Sequence, residues 1–193
     1  MKLSDFAKLQ SGLVLNRKEA RSSEETVKEY KRLNLRSLDI NGTVNHNELD
    51  LFSSTELLDD SLLTQTNDIV VKLFAPFSPV LITPADVGLV IPSQLAVIRI
   101  RSKTVLPQYL CYWLSTHEAS ETLLSIEGWQ SQRTIKIGTF ADLDVPIPPL
   151  EKQIIISDLV CVSNRREQLY RELISEQKKL TSLEIKRIIG GNL

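Results

Sequence analysis

Residues Gln130-Ser131-Gln132-Arg133 place two carboxamides, a hydroxyl and a guanidinium in consecutive positions beside Gly128 and Trp129. None of the four has an apolar reason to be buried. Gln offers a donor and an acceptor together, and Arg offers a planar fork of donors, which are the geometries that read base edges in a groove of nucleic acid. The chemistry open to this stretch is therefore recognition rather than bond breaking. Trp129 reads either as a support for such a loop or as a core anchor. Lys136 extends the basic side of the loop. Arg17 and Lys18 follow Gly12-Leu13-Val14-Leu15 in a polar segment and suit phosphate or base contact. Lys72 interrupts an apolar run. It lies on the recognition face or points outward on the alternating side of a strand. Gln94, after Ser93, is a weaker candidate of the same kind.

Catalytic arrangements do not emerge. The chain has no glycine-rich phosphate loop, no His-Glu-x-x-His and no Gly-x-Ser-x-Gly elbow. It also lacks an Asn-Pro-Pro-Tyr-like segment. Glu184-Ile185-Lys186 superficially resembles the end of a nuclease metal site, but it falls in a helical pattern where such a site needs a strand. His46 and His117 have no partner at metal-ligand spacing and read as surface histidines. Cys111 and Cys161 form no Cys-x-x-Cys pair and read as small buried hydrophobes. No cofactor and no metal are expected.

The elements that must position the polar loop follow from periodicity and breakers. Leu3 to Leu9 reads as a strand or a helical turn, and residues 16 to 29 as a loop with some helix. Residues 30–36 alternate and predict a strand; Asn41-Gly42 predicts a hairpin turn. Residues 45 to 67 are polar, with a helical turn expected over Glu56 to Asp60. Ile69–Leu73, Gly88–Ile91 and Leu95–Ile100 predict strands, and Pro76, Pro79 and Pro84 mark loops around Val80-Leu81-Ile82. Pro107 opens a helix through Ser115, and Glu118–Ile126 predicts another. The sum is an α+β domain over residues 1–147, built on a mixed twisted sheet, followed by one long coiled-coil helix over residues 148–193.

The helix is the clearest single element. No glycine or proline interrupts the chain between Pro149 and Gly190, so the helix should run for about 39 residues, on the order of 58 Å at about 1.5 Å per residue. Proline suits its start and glycine its end. Apolar residues fall at Ile155, Leu159, Val162, Leu169, Leu173, Leu180 and Leu183, in steps of four and three. Arg166, Glu176 and Arg187 interrupt that row. This is a coiled-coil seam with polar breaks, of the kind that fix register and partner at some cost in stability. A core helix packed on its own domain is the plainer alternative.

These residues resemble a known family. Ile135-Lys136-Ile137-Gly138-Thr139-Phe140, leading into Leu143-Asp144-Val145-Pro146-Ile147-Pro148-Pro149-Leu150-Glu151-Lys152-Gln153, is similar to the junction between a target recognition domain and a coiled-coil helix in specificity subunits of type I restriction-modification systems. Asn67-Asp68-Ile69-Val70-Val71 resembles the family's Gly-Asp-Ile-Leu-type strand, with Asn67 where glycine often stands. Leu106-Pro107-Gln108-Tyr109-Leu110-Cys111-Tyr112-Trp113-Leu114-Ser115 resembles its short helix, and Lys2–Gly12 the start of a recognition domain. Full subunits of the family resemble two such domains and two helices in tandem, whereas this chain has one of each. The resemblance implies a half-subunit that dimerises through antiparallel helices to bind double-stranded DNA at a bipartite target. It also implies docking to a methyltransferase subunit and through it a restriction subunit. Chemistry would belong to those partners.

Composition tempers that expectation. The 193 residues hold one sizeable core plus the helix, and 42% hydrophobic with 24% charged residues is ordinary for a globular protein. No apolar run approaches the roughly 18 residues of a membrane span, and the N-terminal residues carry no basic-then-apolar signal, so a cytoplasmic protein is expected. Twenty-three Lys and Arg against 24 Asp and Glu give a net charge of −1, which does not announce a nucleic-acid binder. Distribution matters more than the sum. Basic residues gather over residues 17–36, at Arg99-Arg101-Lys103 and at Arg133-Lys136; acids gather over Glu48–Asp60. A coiled-coil interaction protein without a DNA role and a divergent nuclease remain the competing readings.

Overall fold

The computed structural model describes residues 1–39, 41–126 and 134–190. Its elements are, in chain order, α1 (Leu3–Phe6), β1 (Ala7–Ser11), β2 (Lys28–Arg32), β3 (Asp50–Ser54), β4 (Ile69–Lys72), β5 (Val80–Leu81), β6 (Leu95–Ile100), α2 (Pro107–Leu114), α3 (His117–Ile126), α4 (Ile137–Ala141) and α5 (Leu150–Ile189). The chain divides into two compact units, Met1–Ile154 and Ile155–Leu193.

In the first unit, one sheet runs in the order β1-β6-β4-β5, and β2 pairs with β3. The strand pairings are antiparallel, and isolated bridges Leu13–Pro92 and Arg32–Val90 run parallel, so the extended segments pair in both senses. The central strands β4 and β6 read Ile-Val-Val-Lys and Leu-Ala-Val-Ile-Arg-Ile because their first residues are buried on both faces rather than alternating with water. Val70, Leu95 and Val97 pack with Leu33, Ile82 and Ile91 on one side of this sheet. A smaller cluster joins Tyr30, Phe52, Leu58, Leu13 and Val90. The Tyr30 hydroxyl accepts a hydrogen bond from Leu58 N at 3.0 Å, so a polar tip is satisfied inside an apolar group.

Two glycine-type positions shape the fold near its edges. Asn67, which stands where the family often has glycine, has φ 69°, a left-handed conformation that asparagine tolerates better than most residues. Asn67→Ala is expected to cost about 1 kcal/mol through that backbone strain, measured as a lower denaturant midpoint with an unchanged slope. Gly12 is needed for a different reason. A Cβ there would stand 2.2 Å from Ile91 O and 2.3 Å from Pro92 O, so only glycine lets this segment press against the 91–92 backbone.

Several expectations need correction. The strand expected at 30–36 lies at Lys28–Arg32 and pairs with β3. β3 itself falls in a stretch read from the sequence only as polar, because only Phe52 among its apolar residues turns inward while Leu51 is 70% exposed. Gly88–Ile91 forms no strand. Gly88 has φ 86°, and Val90 alone bridges Arg32 and Leu63. The helical turn expected over Glu56–Asp60 is a 3-10 turn at Asp60–Leu62, started by Asp59 accepting from Ser61 N. The hairpin at Asn41-Gly42 is reduced to the Leu38–Val44 bridge, with Gly42 at φ 75°. Cys161 is exposed rather than buried; Cys111 is buried, and burial pushes its thiol up to about 12. Neither it nor any other described His, Cys, Asp or Glu belongs to a group able to hold a metal ion.

The start of α5 is held within the first unit by one side chain. Gln153 is fully buried: its Oε1 accepts from Leu106 N at 2.9 Å, and its Nε2 donates to Thr104 O at 2.9 Å and Pro148 O at 2.7 Å. Each hydrogen bond satisfies a backbone group that would otherwise be stranded at a helix start or loop. These contacts lie within the compact unit Met1–Ile154. From Leu150 to Ile189, α5 is a single 40-residue helix.

Candidate nucleic-acid interface

The backbone around Leu73 brings together three of the expected recognition residues. Leu73 N donates to Gln94 O at 3.1 Å, and Leu73 O accepts from Ile135 N at 2.6 Å. Lys72 precedes Leu73 at the end of β4, Gln94 lies in the exposed turn before β6, and Lys136 is the exposed residue that caps α4. A strand end, a turn and a helix start thus converge on one residue. The chain behind Lys72 is braced: Lys72 N donates to Phe77 O at 2.8 Å, and the Phe77 ring packs edge-on against Phe140 of α4, 5.7 Å between centroids.

Lys72 is half-buried and makes no ion pair among the described residues. Burial pushes its ammonium below the usual lysine range. A cation that is partly desolvated and unpaired gains from any anion brought to it, such as a phosphate oxygen.

Arg17 and Lys18 follow, four to six residues on, a segment that lies beside the same turn. Gly12 N donates to Leu95 O at 3.0 Å and Ser93 N donates to Leu13 O at 2.8 Å, which ties residues 12–13 to the turn carrying Gln94. Arg17 ends a 3-10 turn and is exposed. Lys18 is committed to Glu56 through an ion pair, so its charge is partly spent within the chain. Gln130, Ser131, Gln132 and Arg133, together with Trp129, lie outside the described residues, which resume at Thr134-Ile135, beside Leu73.

The second basic cluster resolves differently from its reading in the sequence. Arg99 Nε donates to Asp68 Oδ1 at 2.9 Å, and its Nη2 donates to Asp68 Oδ2 at 3.1 Å and to Leu63 O at 2.6 Å. It is a structural cation facing a carboxylate that is only 2% exposed. Nothing in local sequence signals this, because the partners are 31 residues apart. His46 is a surface histidine, but one that contacts Asp86 at 2.7 Å.

In the second unit, Ile155, Leu159, Val162, Leu169, Leu173, Leu180 and Leu183 are all 47 to 67% exposed on α5. Tyr170, Ile174, Ile185 and Ile188 are exposed as well, and they fall outside that seam.

The family described as the type I restriction modification DNA specificity domain matches residues 1–184. The chain belongs to that family. Among solved structures, this specificity domain is similar in fold to the HsdS subunit from Thermoanaerobacter tengcongensis, with a TM-score of 0.67 and 16% identity over 96% of this chain and 47% of that one. A chain from a structure of type I restriction-modification complex assembly and conformational transition gives a TM-score of 0.62, with 16% identity over 100% of this chain and 46% of that one. The specificity domain therefore spans about half the length of the structures it matches. No curated protein matches it by sequence. The α+β domain followed by one long helix, expected from the sequence, is the fold of these neighbours. Among the described residues, no helix of the specificity domain is long and apolar enough to cross a membrane.

Proposed function

We propose that this chain reads one half of a bipartite double-stranded DNA target for a type I restriction-modification complex, without chemistry of its own. Two copies joined through antiparallel α5 helices would read both halves. The observation that carries the reading is the convergence of Lys72, Gln94 and Lys136 on Leu73, where the described residues resume after the Gln130–Arg133 segment. Backbone contacts from the lysines and Arg17 would set position on the duplex, and the glutamines and Arg133 would read bases. A net charge of −1 is compatible with this, because the cations of the cluster are gathered while Arg99 and Lys18 have partners within the chain. The exposed Tyr170, Ile174, Ile185 and Ile188 supply an apolar surface outside the seam on which a methyltransferase subunit, and through it a restriction subunit, would dock.

Two outcomes are expected. Arg133→Ala should weaken binding to the target duplex by roughly five- to 150-fold while the dimer persists, because one bidentate base contact carries about 1–3 kcal/mol. Binding at wild-type strength would remove Arg133 from the readers. Lys136→Ala should weaken binding to all sequences alike and lower the salt dependence by about one unit of slope. The decisive experiment co-expresses the chain with its methyltransferase subunit and maps methylated adenines. An interrupted palindromic motif supports a symmetric pair of half-subunits. An asymmetric motif assigns the second half to a different chain, and absence of any motif together with failure to co-purify overturns the reading.

A further inference from the structure

The seam of α5 is a palindrome. Its steps run four, three, four, three, four, three, four, three, four from Ile155 to Arg187, so they read the same in either direction about Arg171. The interior residues mirror as well, while at the two ends Ile155 reflects onto Arg187. Leu169 reflects onto Leu173, Val162 onto Leu180 and Leu159 onto Leu183. The two central polar breaks reflect onto one another: Arg166 onto Glu176, a cation onto an anion.

We propose that a second copy of this chain packs antiparallel on α5 in one register, centred on Arg171, and that the Arg166 of each copy meeting the second copy's Glu176 selects that register. This rests on the dimer proposed above and deepens it. Apolar layers meet apolar layers throughout the interior of the seam, and both central polar residues meet an opposite charge. A slip of one heptad in either direction sets Arg166 against Leu169 or Leu183 and Glu176 against Leu159 or Leu173, burying charge against leucine. An in-register parallel pair stacks Arg166 on Arg166 and Glu176 on Glu176. The flanks do not decide the matter: in the proposed register Asp158 lies near the second copy's Lys186, but Arg165 lies near Lys179 and Glu172 near its own counterpart.

The single helix leaves the pair ready to form. Arg166 makes no ion pair among the described residues, whereas Arg171 and Lys179 are each tied to a glutamate on α5. Glu176 holds Lys179 at 2.6 Å, but both groups are well exposed, and such an exposed contact contributes little. A buried or half-buried polar layer at one seam position is an established way to fix register and partner.

The test uses the natural thiols. Cys161 is exposed on α5 away from the seam, and Cys111 is buried with its thiol pushed up to about 12, so a nitroxide reagent labels Cys161. At about 1.5 Å per residue, the two labels should stand about 30 Å apart along the axis. One-heptad slips place them about 20 or 40 Å apart, and a parallel pair places them side by side. Independently, Arg166→Glu and Glu176→Arg should each weaken the homodimer at least tenfold, because each variant faces like charges in two layers. Mixing the two variants should restore a heterodimer of wild-type affinity, because both layers then pair opposite charges. A wild-type dimer whose label distance is about 20 or 40 Å, or whose affinity ignores both substitutions, overturns the register and leaves dimerisation standing. A monomeric wild-type chain at micromolar concentration overturns both.

Discussion

Leu169→Glu combined with Leu173→Glu should convert the proposed dimer to monomers at micromolar concentration, while the fold of residues 1–154 is unchanged. These two leucines lie at the centre of the seam, and each is about half exposed in the single chain. Burying a leucine side chain contributes about 1.5–3 kcal/mol. In the proposed register the two positions of both copies form adjacent central layers, so four leucines are lost and four carboxylates crowd together. The dissociation constant should rise by more than four orders of magnitude. Sedimentation would report the mass, and circular dichroism would show some helix lost with the sheet signal retained. Binding to a single half-site should survive in the monomer, and the tight binding that comes from two linked sites should disappear. A variant that stays dimeric would place the interface on the other exposed apolar residues of α5, such as Tyr170 and Ile174.

Arg99→Ala should be the most destabilising single charge deletion in the first unit. It leaves the buried Asp68 carboxylate with the Gln65 N–H at 2.8 Å and without its bidentate partner, and it strips Leu63 O of a donor. Removing one member of a buried pair costs about 3–5 kcal/mol, which in a chain of this size lowers the melting temperature by roughly 6–20 °C. The sign with pH follows from Asp68. Burial raises its carboxyl above the ordinary range, outweighing the lowering by Arg99 and Gln65. A carboxyl raised in the folded state favours folding below the unfolded value of about 4, and loses that contribution as pH rises through its folded value. Without Arg99 the folded value rises further. The deficit against wild type should be largest at neutral pH and should shrink on acidification. Adding Asp68→Asn to Arg99→Ala should recover part of the stability and flatten that pH dependence. Equal deficits at pH 4.5 and 7.5 would show that Asp68 is not the group responsible.

The helix, the two central strands and the two short helices were legible because each depends on local information. α5 declares itself through uninterrupted four-and-three spacing between Pro149 and Gly190; β4 and β6 through apolar runs; α2 through Pro107 at its first turn. β3 was not legible, because two strands with one inward aromatic each acquire their pattern only by pairing with one another. The role of Gln153 was visible only as part of a motif; its three backbone partners come from residues 104, 106 and 148.

The proposed recognition residues divide along the same line. Side-chain chemistry alone singled out Lys72, Gln94, Lys136 and the Gln130–Arg133 segment, since amides and guanidinium without an apolar neighbour favour polar recognition. The placement of Lys72, Gln94 and Lys136 around Leu73 depends on hydrogen bonds between segments more than 20 residues apart in sequence, which no local pattern encodes. For the same reason Arg99, indistinguishable from its basic neighbours in the sequence, is taken by Asp68, and Lys18 by Glu56. Spacing along the chain was enough to read the long helix, its row of apolar residues and the charges along that row, because a helix converts spacing directly into a face. Which cations keep a free charge was settled by folding, because that depends on which carboxylates the fold brings within reach.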